Sequence, residues 1–339
     1  MGAEKGGRKY WVGFDLGGTK MMAGVFDSAF RRVGLSRKRT KAYVGAGGGV
    51  NRILDLMKAA MDEAKISPTE VAGIGVGVPG PLDLKRGVVL QMPNLGWGKV
   101  PLQKKIEKKF GCSVVLANDV DAGTYGEYLF GAGRGARCLL GVFPGTGIGG
   151  ACVYEGQIFR GAGRSCLEIG HLRVVPGGPL CGCGRRGCLE AVASRLAIAT
   201  QTVAAIHRGE APHLAAHVGT DLSEIRSGVL KEAIQKGDRV IERILRDAAA
   251  QLGSAIASMV NLLAPDVIVL GGGLAEAFPD LYRTECSRVV AEEVMASFRG
   301  TYRIAIAKLG DDATIVGAAA LAANPGAIEL SVQRAKGSR

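Results

Sequence analysis

The chain carries 339 residues, of which 47% are hydrophobic, 22% charged and 5% aromatic. That balance excludes a disordered polyelectrolyte and suits a globular chain long enough for two domains. A formal charge of +12 favours anionic ligands such as nucleotides, but the basic residues gather at both ends and over 31–41. No helix-turn-helix pattern and no basic run interleaved with aromatics accompanies them, so no nucleic-acid partner is expected.

The first nine residues hold no apolar signal core, and Gly6 stands where a myristoylation signal needs Ser or Thr. No run is long and apolar enough to span a bilayer, so no membrane partner is expected. Eight cysteines without a leader point to a reducing, cytoplasmic setting. A strand over 10–14 ends at Asp15, a turn follows over 16–20, and 21–26 returns as a strand. Strand, glycine turn, strand excludes a P-loop and a dinucleotide fingerprint, since both open a helix. A third strand covers 33–40, and 45–49 reads as a loop. Apolar residues at 50, 53, 54, 57, 60 and 61 set a helix over 50–64. A buried strand over 71–78 runs into Pro79, Gly80 and Pro81. A short helix covers 101–110 with proline at its start, and a strand over 113–117 delivers Asn118 and Asp119 to a helix over 121–128. This alternation identifies an α/β sheet.

The second half repeats the opening. A strand over 138–143, a glycine turn over 145–150 and a returning strand over 151–154 form a weak internal repeat, which predicts two related domains. Beyond it come a helix over 191–209, a long helix over 237–263, and a buried strand over 267–270 that meets Gly271, Gly272 and Gly273. A helix to about 295, a strand over 302–307 and a small-residue helix over 313–323 complete the fold. The stretch from 331 is a basic tail.

Within 168–190, nine residues separate His171 from Cys181, one separates Cys181 from Cys183, and four separate Cys183 from Cys188. Four such ligands on a glycine-rich loop suit a closed tetrahedral zinc site, with no position left for substrate. The alternative is unrelated thiols or disulfides. Glycines at 182, 184 and 187 allow the sharp turns the ligands need. The flanking Glu168 and Glu190 become candidates for touching a substrate.

Asp15 at a strand end can hold Mg²⁺. Gly17, Gly18, Thr19 and Lys20 form a turn whose N–H groups and hydroxyl suit phosphate oxygens, or a plain hairpin. Gly145, Thr146 and Gly147 repeat that chemistry, so both turns can clamp one polyphosphate. Gly271 and Gly272 suit close packing of an adenosine or its α-phosphate, or form an ordinary loop. Asn118 and Asp119 lie at the carboxyl end of a strand, where open α/β sheets place ligands. Asp there is a helix cap or, beside two phosphate turns, a general base for phosphoryl transfer. Asn94, Glu168 and Glu190 suit several hydroxyls of a sugar.

Taken together, these motifs resemble the ROK family of sugar kinases and regulators, within the hexokinase and actin-like ATPase superfamily. Asp-Leu-Gly-Gly-Thr-Lys at 15–20, Gly-Val-Pro-Gly-Pro-Leu-Asp at 77–83, Asn-Leu-Gly-Trp at 94–97, Asn-Asp at 118–119, Gly-Thr-Gly-Ile-Gly-Gly at 145–150, Glu-Ile-Gly-His at 168–171 and the cysteine loop at 181–190 appear in family order. They span 9–323, with the closest likeness to the bacterial glucokinases. The resemblance implies two ribonuclease-H-like α/β domains with the active site in the cleft between them. A smaller domain would take 1–120 and 311–330, a larger one with the zinc loop 121–310, and 331–339 would be the tail.

The resemblance further implies that Asp119 is the catalytic base. Asn94, Asn118, Glu168, Glu190 and His171 match sugar contacts. Asp15, Gly17, Thr19, Gly145 and Thr146 match positions around the phosphates and Mg²⁺, and Gly271 and Gly272 match the nucleotide loop. His171, Cys181, Cys183 and Cys188 match the zinc ligands. The implied substrates are ATP and a hexose, with glucose 6-phosphate as the product from glucose, in a homo-oligomer (dimer or tetramer). Fructose, mannose, N-acetylmannosamine and N-acetylglucosamine are alternative acceptors, and polyphosphate an alternative donor. One stretch departs: the family has a small, glycine-rich run before the Glu-Ile-Gly-His motif, where this chain has Arg164, Ser165, Cys166 and Leu167. That leaves the choice of sugar open. The family's regulators carry an N-terminal DNA-binding domain, for which nine residues ahead of the first strand are too few. A non-catalytic sugar-sensing protein is the other rival.

Overall fold

The computed structural model of the protein describes residues 9–18, 20–41, 45–92, 95–161, 167–219, 221–222 and 224–328. Thr19, Asn94, 162–166 and the tail from 331 lie outside the described residues. In chain order the first half runs β1 (Tyr10–Leu16), β2 (Lys20–Phe26), β3 (Arg32–Arg39), α1 (Gly45–Glu63), β4 (Val71–Val78), β5 (Leu82–Asp83), β6 (Val88–Val89), α2 (Leu102–Phe110), β7 (Ser113–Asn118) and α3 (Asp119–Phe130). The second half begins with β8 (Cys138–Pro144), β9 (Ile148–Tyr154), β10 (Gln157–Ile158), α4 (Glu190–Ala193), α5 (Arg195–His207), α6 (Pro212–Val218), α7 (Ser227–Gln235) and α8 (Arg239–Leu263). It closes with β11 (Val267–Leu270), α9 (Gly272–Ala277), α10 (Pro279–Glu293), β12 (Arg303–Ile306) and α11 (Asp312–Ala323).

Internal contacts divide the chain into one unit of 1–129, 153–166 and 311–339 and another of 130–152 and 167–310. The first unit has a sheet of order β3-β2-β1-β4-β7, in which β1, β4 and β7 run parallel and β2 and β3 are antiparallel additions. Successive strand residues face opposite sides, and the two faces are packed differently. Val12, Phe14, Val25, Ile74 and Val114 join one apolar core with Ile53, Met57 and Ile106 of α1 and α2. On the other face the strands present Gly13 and Gly75, and α11 lies directly on the backbone there. A Cβ at Gly13 would fall 1.7 Å from the Ile315 carbonyl oxygen, and one at Gly75 1.7 Å from that of Ala318. The small residues of 313–323 are therefore a packing requirement, since a bulkier helix would stand off the sheet.

The same close packing moves the unit boundary past the expected position of 120. A Cβ at Gly317 would lie 1.8 Å from the Ala122 carbonyl oxygen, and one at Gly126 2.4 Å from that of Ala313. These contacts hold α3 against α11, so 121–129 belong to the first unit. The 153–166 segment joins it as well, where the Arg160 guanidinium donates to the Ile328 carbonyl.

The second unit's sheet has order β10-β9-β8-β11-β12, with β8, β11 and β12 parallel. Each sheet thus follows the same strand plan, and the expected repeat is present in the topology. Core residues of α8 include Ile241, Leu245, Ala248, Leu252 and Ile256, at the expected helical spacing.

Three expectations on element boundaries are corrected. The glycines at 45–49 open α1 instead of forming a loop, because Gly49 underlies Trp97, whose ring would sit 1.9 Å from a Cβ there. The helix expected over 191–209 is two, broken at Ser194, whose hydroxyl caps α5 by accepting the Ala197 N–H at 3.3 Å. The helix after Gly273 is also two, interrupted at Phe278 before Pro279, which lacks the N–H a continuous helix needs. The short α6 and α7 occupy a stretch without a sequence-predicted element.

Candidate functional site

In the first unit the candidate residues collect at the carboxyl end of the parallel strands. Asp15 pairs in register with Gly77, and Gly77 with Ala117. Two strand spacings set the Asp15 backbone about 10 Å from that of Ala117. Asn118 and Asp119 follow at the β7 to α3 junction. The cap of α3 falls to Asn118, whose Oδ1 accepts the N–H groups of Val120 at 2.9 Å and Asp121 at 3.2 Å. Asp119 Oδ1 accepts only the first of these, at 3.0 Å. Asn118 keeps its amide N–H₂ as a donor, the group that can orient a substrate hydroxyl.

The Asp15 carboxyl is pushed up to about 7, first by burial, then by the charge of Asp119; Asp311 adds to the rise and Lys20 opposes it. Asp311 precedes α11 and forms an ion pair with Lys20. Sequence reasoning missed Asp311, although an acidic pair ahead of a small-residue helix was visible as a cap signal. Gly17 and Gly18 form the β1 to β2 turn, where the Thr40 hydroxyl donates to the Gly17 carbonyl at 2.7 Å.

This crowding gives a pH-dependent expectation. A carboxyl raised from 3.8 to about 7 favours the folded state while protonated. That contribution is complete below 3.8 and is lost as pH rises through 7; above it, the ionised group is a net cost. Without divalent metal, Asp15→Asn should leave stability nearly unchanged near pH 3.5 and raise it by about 4 kcal/mol at pH 8. Urea unfolding at both pH values measures this. A variant no more stable than the parent at pH 8 would contradict the crowding.

The second unit carries the other two glycine turns on adjacent parallel strands, with Leu270 of β11 in register with Val142 of β8. The Gly271 N–H donates to the Val142 carbonyl at 3.0 Å. Gly272 has φ +78°, and a Cβ there would fall 2.8 Å from the Pro144 carbonyl oxygen, so only glycine serves. The nucleotide-loop candidates therefore touch the strand end that leads into Gly145. In the 145–147 turn, the Gly145 N–H donates to the Gly147 carbonyl at 2.8 Å. Arg195 was absent from the sequence-derived set, yet its Nη2 donates to Thr146 Oγ1 at 2.5 Å.

Glu190 opens α4 and connects this turn to the cysteine loop. One carboxylate oxygen accepts the Ile148 N–H at 3.0 Å, and the other lies 3.8 Å from Cys181 Sγ. Thr146, Cys181 and Glu190 share the lining of a cavity of about 440 Å³. Glu168 is exposed and stands before the short turn that positions His171, whose N–H donates to the Glu168 carbonyl at 2.9 Å.

The ligand atoms of His171, Cys181, Cys183 and Cys188 all lie within 4.8 Å of one another. Cys183 Sγ is 3.7 Å from Cys188 Sγ, and Cys181 Sγ 3.7 Å from His171 Nδ1. Bonds of about 2.3 Å to a tetrahedral metal set sulfurs about 3.8 Å apart, whereas a disulfide needs about 2.05 Å. The geometry thus fits four-coordinate metal binding and not a disulfide. Gly184 and Gly187 take positive φ as expected; Gly182 does not. Backbone N–H and guanidinium donors of Arg185 hold the Cys183 thiol down at about 6, while burial pushes Cys181 up to about 11. Leu167, where the chain departs from the family pattern, has φ +63°, a conformation suited to glycine.

Comparisons with known proteins agree with this picture. The sequence pattern of the ROK family matches residues 11–324. A glucokinase of Thermotoga maritima is 33% identical over 311 residues, 91% of this chain and 96% of that protein. The crystal structure of a ROK family glucokinase from Streptomyces griseus, in complex with glucose and AMPPNP, aligns with a TM-score of 0.80 at 32% identity, covering 93% of this chain and 99% of that one. A putative xylose repressor from a Caldicellulosiruptor strain is 32% identical over 275 residues, 80% of this chain and 68% of the repressor. The two related sheets and the likeness to the glucokinase structure establish the two-domain, actin-like ATPase fold.

Proposed function

The chain belongs to the ROK family, and from that premise we propose that it phosphorylates a hexose with ATP, converting glucose to glucose 6-phosphate. The observation that carries this reading is the position of Asp119. It stands at the carboxyl end of the first sheet, with Asn118 beside it taking the larger share of the helix cap. In the reaction Asp119 accepts the proton of the sugar's C6 hydroxyl, and that oxygen attacks the γ-phosphoryl group in line. We assign the glycine turn at 17–18 in the first unit and that at 145–147 in the second each to phosphate oxygens, and Gly271 and Gly272 to the nucleotide. Asp15 would hold Mg²⁺, which offsets phosphate charge. Catalysis in such a site is mostly positioning and charge stabilisation.

Glu168, Glu190 and His171 are assigned to the sugar. We assign the four-ligand cluster to structural zinc, supported by its donor set and tetrahedral spacing. None of the seven described cysteines is joined in a disulfide, which supports the cytoplasmic assignment. Among the described residues no helix is long and apolar enough to cross a membrane.

An ADP-release assay across hexoses and aminosugars, with ATP and polyphosphate as donors, tests the proposal. Release with glucose and ATP above all other pairs is expected. The likeness to a putative xylose repressor favours a second reading, a sugar-responsive regulator without turnover. Sugar binding without ADP release from any pair would select it.

A further inference from the structure

We infer that Arg195 is a guanidinium clamp on the phosphate chain of the donor, acting together with the Thr146 hydroxyl. The inference rests on the kinase reading for its substrate, but the geometry behind it lies wholly within the second unit.

Arg195 is the first residue of α5, and its backbone N–H donates to the Gly145 carbonyl at 2.8 Å. The start of the helix is thereby seated on the phosphate turn. Its side chain then turns to the same place, where Nη2 donates to Thr146 Oγ1 at 2.5 Å. A guanidinium has donors only, so the threonine oxygen must accept. That fixes the direction of the Thr146 hydroxyl: its own hydrogen points away from Arg195 and serves an outside acceptor. Thr146 is exposed, so the acceptor is solvent until an anionic ligand arrives.

The charge on Arg195 is otherwise poorly placed. A cation at the first turn of a helix opposes the helix dipole. Among the described residues no carboxylate forms an ion pair with it. The nearby Glu190 carboxylate is engaged by the Ile148 N–H and lies against Cys181. An arginine in an unfavourable field, without a carboxylate partner and hydrogen-bonded to a turn hydroxyl, has the chemistry of an oxyanion receptor. A phosphate oxygen can accept from Thr146 while a second accepts from the remaining guanidinium N–H groups. As the phosphoryl group departs, negative charge builds on the donor, where a fixed cation stabilises it.

The competing reading is that Arg195 only pins the turn. Calorimetric binding of Mg-AMPPNP and of adenosine to the full chain separates the two. Arg195→Ala should weaken Mg-AMPPNP by about 30-fold, the worth of charge-assisted bonds, and leave adenosine affinity unchanged. Arg195→Lys, which keeps the charge and loses the fork, should fall between. The Thr146→Ala and Arg195→Ala double variant should lose little more than Arg195→Ala alone, because the two side chains act as one unit. Unchanged Mg-AMPPNP affinity in Arg195→Ala would overturn the clamp. So would equal loss of Mg-AMPPNP and adenosine, which is the mark of a structural pin. Failure of the kinase reading is seen separately: the parent chain would bind Mg-AMPPNP with Arg195 dependence yet release no ADP with any sugar.

Discussion

Asp119→Asn is expected to lower kcat for glucose by at least about 10³-fold, within the range a general base contributes, with sugar affinity changed by less than about threefold. The substitution keeps the size of the side chain and its acceptor oxygen, so the Val120 N–H retains a partner. The main cap of α3 is carried by Asn118 and is untouched. What disappears is a basic carboxylate at the point where β7 delivers the chain to the carboxyl end of its sheet. Removing this charge also lessens the crowding on Asp15, whose carboxyl is raised in part by Asp119. The variant should therefore be slightly more stable than the parent in metal-free buffer at pH 8. Lost turnover together with retained sugar binding and undiminished stability would be difficult to attribute to misfolding. Turnover within tenfold of the parent would remove Asp119 from the role of base.

The parts of the fold legible in the sequence were those where a local pattern reports a local cause. Alternating strands and glycine turns gave both sheets, and helical spacing through 241–259 gave the interior face of α8. The cysteine spacing found a four-ligand cluster whose atoms do converge. What escaped depended on contacts distant in sequence. Glycines at 45–49 look like a loop until Trp97 is placed against Gly49. The boundary after α3 is set by Gly126 and Gly317, nearly two hundred positions apart. Asp311 and Arg195 carry no motif of their own; each matters because a remote element brings it beside Lys20 or Thr146. Glu190 was found as a carboxylate flanking the cysteine loop, but its bond to the Ile148 N–H could be seen only in the fold. Thr19 and Asn94 lie outside the described residues, so their expected roles rest on the sequence alone.

Stripping the proposed structural zinc should weaken sugar binding first and nucleotide binding less. In the proposed zinc site His171 is itself a ligand, and Glu168 and Glu190 flank the loop that carries the four candidate ligands. Loss of the ion frees that loop, so sugar affinity should fall by at least about tenfold, the lower end for disturbed metal-site partners. The turn at 145–147 is supported on two sides. Arg195 holds it from α5, independently of the cysteine loop, while Glu190 holds it through the Ile148 N–H. Only the second support is linked to the metal, through the contact between Glu190 and Cys181. Nucleotide affinity should therefore fall, but by less than sugar affinity. Metal retention should also weaken with acid, because thiolate ligands must be deprotonated to bind. Cys183→Ser provides the same test without a chelator, at an exposed ligand whose replacement opens no cavity. Metal content, sugar affinity and nucleotide affinity measured on one preparation decide the matter. Equal loss of both affinities alongside a collapsed melting transition would show that the ion holds the whole second unit, and unchanged sugar affinity would separate the cluster from the sugar site altogether.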